Sequence, residues 1–442
     1  MDYRKLSEKI KDRSAVVCVV GLGYVGLPLA AGFARAGLKV VGFDINQKKI
    51  EELKNGIERM NELTPKELEE IKGNMDYTTD PKKITISDFA IICVPTPVTE
   101  DYQPDLEPVN SAAEIVGKHM KKNVVVCLES TVYPGVTEGP MKQIVERESK
   151  QACGRDFSLC YSPERINPGD REHTLKRVVK VVGGMNPETT EVMASLYDLV
   201  TEAGVHKAKD IATAEAAKVI ENIQRDLNIA LMNELSMIFD RMGLSTRDVL
   251  AAADTKWNFH KYTPGMVGGH CIPVDPYYLV QRAREFGYDA KVILAGRETN
   301  NSVPYFIASL AEREMKAAGK KVRGSRILVL GVTFKKNVND TRNSPSKHLI
   351  KKLKDMGAEV FAHDPLVSDE EIEKRFCAKP LKDLRTAKNM DCVVMSTDHD
   401  IFRSLSMKDL KSFMRGVPVL IDGRMFYPAQ DARAAGLRYA SL

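Results

Sequence analysis

Residues 15–21 read AVVCVVG, a continuous apolar run of the kind buried on both faces in a parallel sheet. A glycine-rich turn and a helical stretch to about Ala36 follow, and then a second strand over 39–43. Further apolar runs predict strands at 89–94, 123–128, 157–161 and 178–182. Strands alternating with helical stretches predict a doubly wound α/β domain that ends near residue 205.

The pattern changes at Ala212. Through Met242 there is no Pro or Gly, and apolar residues recur at spacings of three and four, which predicts one long helix closed by Gly243. A second helical stretch, about 276–318, follows a glycine-rich loop at 265–269 and should break near Gly287. From Arg326 the first pattern returns: RILVLG echoes VVCVVG, and VFAHD (360–364) echoes VVGFD (40–44). DCVVMST (391–397) echoes DFAIICVP (88–95), and PVLIDGR (418–424) adds a further strand. The expected fold is α/β, with two Rossmann-like doubly wound domains joined by a central long-helix domain. The expected boundaries are 1–205, 206–318 and 319–442, with the long helices as a homodimer or higher homo-oligomer interface.

With 43% hydrophobic and 28% charged residues, the 442-residue chain has the composition of a soluble globular protein. Its net charge of +5 arises from 65 basic and 60 acidic side chains and gives no reason to expect nucleic acid or membrane as a partner. The polar N-terminus lacks a signal peptide's apolar core, and no apolar run reaches transmembrane length. The eight cysteines form no C-x-x-C pair and sit mostly in apolar strand-like runs, so a reduced, cytoplasmic setting without zinc or another metal is expected.

Gly21-Leu22-Gly23-Tyr24-Val25-Gly26 is a G-x-G-x-x-G between a strand and a helix. The first glycine permits a tight turn, the second lets backbone approach a pyrophosphate, and the third brings helix and sheet together. Asp44 ends the next strand, where an acid accepts from ribose hydroxyls and repels a 2′-phosphate, favouring NAD over NADP. The alternative is a purely structural turn. The second half has Gly331-Val332-Thr333-Phe334-Lys335 in the corresponding place, so a dinucleotide is expected in the first half only.

Val94-Pro95-Thr96-Pro97 and Glu129-Ser130-Thr131 follow strand ends, where ligands of such sheets bind, although plain β–α turns read equally well. Lys218 and Asn222 share one helix face, with Arg225 on a neighbouring line; the alternative is a solvated stripe. In Gly268-Gly269-His270-Cys271-Ile272-Pro273-Val274-Asp275-Pro276 two glycines precede a loop cysteine, and an acid follows four residues on. There the alternative is a structural cysteine in a turn.

Taken together, these segments resemble the UDP-glucose/GDP-mannose dehydrogenase family over essentially the whole chain. The resemblance runs through VVGLGYVGLPLA (19–30), VVGFD (40–44), VPTP (94–97), ESTVYPG (129–135) and YSPERINPGD (161–170). It continues through AEAAKVIENIQRDLNIALMNEL (214–235), GGHCIPVDPYYL (268–279) and FKKNVNDTRNSP (334–345). GGHCIPVDP, PERINPGD and DTKWNF (254–259) are similar to the N-acetylhexosamine branch, with UDP-N-acetylglucosamine or UDP-N-acetylgalactosamine as substrate. UDP-N-acetylmannosamine and UDP-glucose are the neighbouring alternatives.

The resemblance implies NAD-dependent oxidation of a sugar C6 alcohol to a carboxylate, with Cys271 forming a thiohemiacetal and then a thioester. It assigns Lys218 and Asn222 to oxyanion stabilisation, with Lys218 also a candidate proton carrier. Asp275 is implied beside Lys218 or in water activation, and Thr131 and Glu164 in positioning water and substrate. For NAD the implied residues are Gly21, Gly23, Tyr24, Val25, Gly26, Asp44, Lys49, Thr96, Thr131 and Arg342. For the UDP-sugar they are Glu164, Arg165, Ile166, Asn167, Lys218, Asn222, Arg225, Gly268, Lys335 and Arg424, the C-terminal half being the UDP-binding domain. Two rivals remain open: a β-hydroxyacid-type dehydrogenase carrying out a single oxidation, and a non-catalytic nucleotide-sugar-binding protein. The latter would be expected to have lost Cys271 or Lys218.

Overall fold

The computed structural model describes residues 1–60, 62–99, 103–165 and 174–442. The chain forms two compact units, one of residues 1–221 and 277–288, the other of residues 222–276 and 289–442.

The first unit is built on eight strands: β1 (Val16–Val20), β2 (Lys39–Phe43), β3 (Met75–Thr78), β4 (Phe89–Ile92), β5 (Val125–Leu128), β6 (Ser158–Tyr161), β7 (Lys180–Gly184) and β8 (Val205–Lys207). Their order is β3-β2-β1-β4-β5-β6-β7-β8. Register is parallel from β3 through β6, with Cys18 opposite Val41 and Ala90. β7 runs antiparallel to β6, and β8 parallel to β7. The apolar runs read from the sequence are thus central strands covered on both faces: β4 and β5 are buried at every position. The order reverses between β1 and β4, which opens a crevice at their carboxyl ends.

The second unit carries β9 (Arg326–Leu330), β10 (Glu359–His363), β11 (Lys379–Pro380), β12 (Cys392–Met395), β13 (Val419–Asp422) and β14 (Arg438–Ser441), in the order β11-β10-β9-β12-β13-β14. All its pairings are parallel. β10-β9-β12 repeats the arrangement of β2-β1-β4, as the echoed segments implied. The expected doubly wound α/β class with long helices is the architecture found.

The long helix is Ile211–Met242. It stops where expected: Gly243 takes φ +73°, and Leu244 N–H donates back to the Phe239 carbonyl. The second helical stretch divides into Asp275–Glu285 and Lys291–Ala317 around Gly287 at φ +75°. The sequence reading missed the helix Tyr3–Lys11, which buries Leu6 and Ile10, and the helix Thr246–Ala253.

Candidate active site

Between β1 and the helix Gly26–Arg35 the chain passes through the Gly21–Gly26 turn. Gly21 has φ +94°, and a Cβ there would lie 2.7 Å from the Cys93 carbonyl oxygen; one on Gly26 would strike the Gly21 oxygen at 1.9 Å. Gly23 is different, because a Cβ on it would meet nothing within 4 Å. Its missing side chain therefore leaves open space above the turn. The helix that follows has no side-chain cap; Leu27 N–H donates to the Gly23 carbonyl at 3.1 Å and Pro28 has no N–H, and the positive end of the helix dipole faces the open space above Gly23. Asp44, buried at the end of β2, accepts from Leu22 N at 3.0 Å, Asn46 N at 2.9 Å and Lys49 Nζ at 2.7 Å. An open cradle, an uncapped helix start and an oriented carboxylate fit a dinucleotide's pyrophosphate and ribose. Tyr24 is exposed and Val25 half-buried beside them.

The loops after β4 and β5 are tied together. Ser130 Oγ donates to the Val94 carbonyl at 2.7 Å, and Tyr278 Oη donates to the Thr96 and Pro97 carbonyls at 2.9 and 3.1 Å. Thr131 is half-buried in the second of these loops. Further along that loop the carboxylate of Glu215 accepts from Gly135 N, Thr137 N and Thr137 Oγ1 at 2.6, 3.0 and 2.7 Å. Burial raises the Glu215 pKa against the pull of these bonds. After β6 come Glu164 and Arg165; the Arg165 guanidinium donates to the Val179 carbonyl at 2.9 Å and lies 2.8 Å from Glu221. Ile166 and Asn167 lie outside the described residues.

Lys218 is buried in the Ile211–Met242 helix one turn before Asn222, on the same face. Arg225 is exposed. In the second unit, Asn222 Nδ2 donates to Asp275 Oδ2 at 2.6 Å. Asp275 is buried at the start of the helix Asp275–Glu285, and its N–H donates to the Cys271 carbonyl at 2.8 Å. Cys271 is exposed, whereas Cys18, Cys127, Cys160 and Cys392 are sealed inside strands. The structure thus groups Asn222, Asp275 and the backbone of Cys271.

The loop leading to Cys271 is closely packed. A Cβ on Gly268 would come 2.5 Å from Pro345 Cδ and 2.8 Å from the Asn343 oxygen. Asn233 clamps Gly265 from both sides, donating to its carbonyl at 3.1 Å and accepting from its N–H at 2.8 Å. Arg424 donates to the Met266 carbonyl at 3.3 Å and lies 3.5 Å from Asp398. His270 Nε2 lies 3.0 Å from Asp340 Oδ2, and Arg342 donates to the same carboxylate at 2.8 Å. Although burial alone would raise it, those bonds hold the Asp340 carboxyl well below the usual carboxylate range. Lys335 is half-buried, and its carbonyl accepts from Thr333 Oγ1 at 3.0 Å.

Several residues that organise these loops were not singled out from sequence. Lys180 stands in the middle of VVKVVGG, and a lone lysine in an apolar strand is a signal that it has a buried partner. That partner is Glu129, 3.0 Å away, whose other oxygen accepts from Tyr197 Oη. Glu215 and Asn233 left no comparable trace, because a helix tolerates either residue on a solvated face.

The chain matches three parts of the UDP-glucose/GDP-mannose dehydrogenase family: its NAD binding domain over residues 15–201, its central domain over 212–302 and its UDP binding domain over 328–429. It is 46% identical to protein CapL of Staphylococcus aureus, covering 92% of this chain and 95% of that one. It is 41% identical to a UDP-N-acetyl-D-glucosamine 6-dehydrogenase of Salmonella typhi, over 94% of this chain and 97% of that one. A solved structure of a UDP-D-ManNAc dehydrogenase from Pyrococcus horikoshii superposes with a TM-score of 0.88 at 31% identity, covering 96% and 98% of the two chains. The chain therefore belongs to the UDP-glucose/GDP-mannose dehydrogenase family of NAD-dependent nucleotide-sugar dehydrogenases.

Proposed function

We propose that this enzyme oxidises the C6 alcohol of UDP-N-acetylglucosamine, or its galactosamine epimer, to the uronic acid. The observation that carries this reading is the exposed Cys271, four residues ahead of a buried Asp275 that Asn222 already bonds. A single-oxidation dehydrogenase has no use for a nucleophile in that place. The 41% identity to a UDP-N-acetyl-D-glucosamine 6-dehydrogenase supports the sugar. UDP-N-acetylmannosamine is the second reading, favoured by the P. horikoshii relative at 31%.

NAD, when bound, supplies the acceptor for each of the two hydrides that leave C6. The remaining steps belong to the chain. Lys218 takes the alcohol proton in the first oxidation and then faces the oxygen of the aldehyde. Cys271 Sγ adds as the thiolate to the aldehyde carbon, making a thiohemiacetal oxyanion whose carbon again carries a removable hydride. Loss of that hydride leaves a thioester; water adds, the C–S bond breaks, and the acid and the free thiol are released. Asn222 and Lys218 stabilise the oxyanion in both halves, while Asp275, Thr131 and Glu164 position water and substrate. NAD is held by Gly21, Gly23, Tyr24, Val25, Gly26, Asp44, Lys49, Thr96, Thr131 and Arg342. The UDP-sugar is held by Arg165, Ile166, Asn167, Arg225, Gly268, Lys335 and Arg424.

A division into domains at 1–205, 206–318 and 319–442 is supported by family matches that break near the same places. Exposed Leu231, Ile238 and Met242 on the long helix support a homodimer or higher homo-oligomer, and we assign the enzyme to the cytoplasm. Among the described residues no helix is long and apolar enough to cross a membrane. NADH formation with UDP-N-acetylglucosamine, UDP-N-acetylgalactosamine, UDP-N-acetylmannosamine and UDP-glucose tests the reading. Two NADH per N-acetylglucosamine or N-acetylgalactosamine nucleotide consumed is expected. One NADH with accumulating aldehyde would overturn the two-step route, and turnover of UDP-glucose alone would overturn the sugar assignment.

A further inference from the structure

Asp364 follows β10 as Asp44 follows β2, and it serves its own turn in the same way: Oδ2 accepts from Val332 N at 2.7 Å and Thr333 N at 3.2 Å, and Oδ1 from Leu366 N at 2.9 Å. The difference lies in what else the turn-facing Oδ2 meets. Asp44 meets Lys49, whose side chain is one-third exposed, whereas Asp364 meets His399, with side chains 1% and 0% exposed. His399 Nε2 lies 3.0 Å from Asp364 Oδ2 and 3.1 Å from Thr333 Oγ1. His399 Nδ1 accepts from the backbone N–H of Asn337 at 2.9 Å. A backbone N–H can only donate, so Nδ1 carries no proton, and the ring proton sits on Nε2 facing Asp364 and Thr333.

These bonds converge on one turn. Asn337 is held at φ +59°, its Nδ2 donates to Asp400 Oδ2 at 2.6 Å, and its Oδ1 accepts from Asp400 N at 3.1 Å. At the other end Thr333 Oγ1, itself against His399, donates to the Lys335 carbonyl. Lys335 is therefore suspended between two residues that both touch the same imidazole.

We propose that His399 is a positioning residue for the nucleotide-sugar: it fills the place a second dinucleotide's ribose would take against Asp364, and from there sets the Lys335 turn for the substrate's diphosphate. This rests on the reading of Lys335 as a UDP-sugar ligand. A ring that bonds the turn through Nδ1 acts on ground-state binding of the diphosphate and leaves NAD binding and the chemical step alone.

His399→Phe keeps a ring of similar size and removes both nitrogens, while His399→Asn places Oδ1 where Nδ1 accepts from Asn337. With the full-length enzyme and UDP as the probe in calorimetry, H399F should weaken UDP binding about tenfold, the scale of a lost buried hydrogen bond. KM for the UDP-sugar should rise by a similar factor, with kcat and KM for NAD within twofold of wild type, and H399N should recover most of the loss. UDP affinity within twofold of wild type in folded H399F, an H399N no better than H399F, or an equal rise in KM for NAD would each overturn the proposal. If H399F does not fold, Thr333→Val removes the other tether of the turn and carries the same test with the same expected split. Lys335→Ala separates the two readings: unchanged UDP binding there shows that Lys335 is not a ligand, whatever H399F does.

Discussion

Lys180 Nζ lies 3.0 Å from Glu129 Oε2, with the two side chains 4% and 0% exposed. Burial alone would lower the lysine's pKa, but the charges of Glu129 and then Glu164 outweigh it and raise it, so the ammonium stays charged. Lys180 also donates to the Pro163 carbonyl at 3.2 Å and stands 4.0 Å from Glu164 Oε2. One buried cation thus joins the ends of β5, β6 and β7, beside the loops that hold Thr131 and Glu164.

Removing half of a buried ion pair strands the other half. Lys180→Met should cost about 3–5 kcal/mol in stability, because Glu129, whose pKa burial already raises, would lose its buried cation and keep only the hydrogen bond from Tyr197. Pairing it with Glu129→Gln should restore most of that loss, since the fully buried carboxylate is removed together with its cation and only the more distant Glu164 loses a partner. Urea denaturation of both variants checks this, and a K180M protein within about 1 kcal/mol of wild type would show that water or a shifted proton already serves Glu129.

Cys271→Ser should abolish uronate formation while leaving UDP-sugar binding nearly unchanged. A serine hydroxyl is far less ionised than a thiol, and an ester is a poorer acyl donor to water. Mass spectrometry of wild type mixed with substrate and NAD should find an acyl adduct on Cys271 that the serine enzyme lacks. Near-normal acid production by C271S would move the nucleophile elsewhere.

Lys218→Ala separates catalysis from binding. A charge needed only as oxyanion character develops should lower kcat by about 100-fold or more, with a smaller change in KM. A rise in KM at constant kcat would make Lys218 a binding residue.

What was legible in the sequence follows from the range of the interactions. Apolar runs buried on both faces announced β1, β4, β5 and β9, and the break-free run to Met242 announced its helix, because each pattern is local. The Gly21 turn with Asp44 was legible because strand geometry fixes the spacing. The helix Tyr3–Lys11 was passed over: its polar sequence hides Leu6 and Ile10, and Lys9 pairs with Asp88, 79 residues on. Glu129 and Lys180 stand 51 residues apart, and nothing in either segment names the other. Long-range polar pairing leaves only the clue of a charge where a hydrophobe belongs.

NAD should be preferred over NADP by at least about tenfold in kcat/KM, since Asp44 would face a 2′-phosphate as a like charge. Lys49, 2.7 Å from Asp44, offsets part of that repulsion. Asp44→Ala should therefore narrow the preference chiefly by weakening NAD, which loses its ribose acceptor. Parity between the cofactors in wild type would remove Asp44 from that role.

Asn233 is the keystone of a buried chain that runs from Arg297 to the substrate loop. Arg297 Nη1 donates to Asp226 Oδ1 at 2.6 Å; Asn300 donates to the same oxygen at 2.7 Å and accepts from Asn233 Nδ2 at 2.8 Å. Asn233 in turn holds both polar groups of Gly265, three residues before Gly268. Gly265 also lies close against Arg424, since a Cβ on it would come 2.6 Å from Arg424 Nη1. Asn233→Ala would leave the Gly265 N–H and carbonyl and the Asn300 oxygen unpaired in the interior, at about 1–3 kcal/mol for each group that water cannot reach. The loop would relax toward solvent to recover those bonds, carrying Gly268 and the Arg424 contact at Met266 with it. The expected result is a loss of roughly 2–4 kcal/mol in stability and a raised KM for the UDP-sugar, with KM for NAD unchanged. Asn233→Asp, which keeps the acceptor for Gly265 N–H but turns a buried carboxylate oxygen toward the Gly265 carbonyl and Asn300 Oδ1, should be at least as damaging as alanine. An alanine variant that melts early but binds UDP-sugar normally would confine Asn233 to stability and detach the network from the substrate loop.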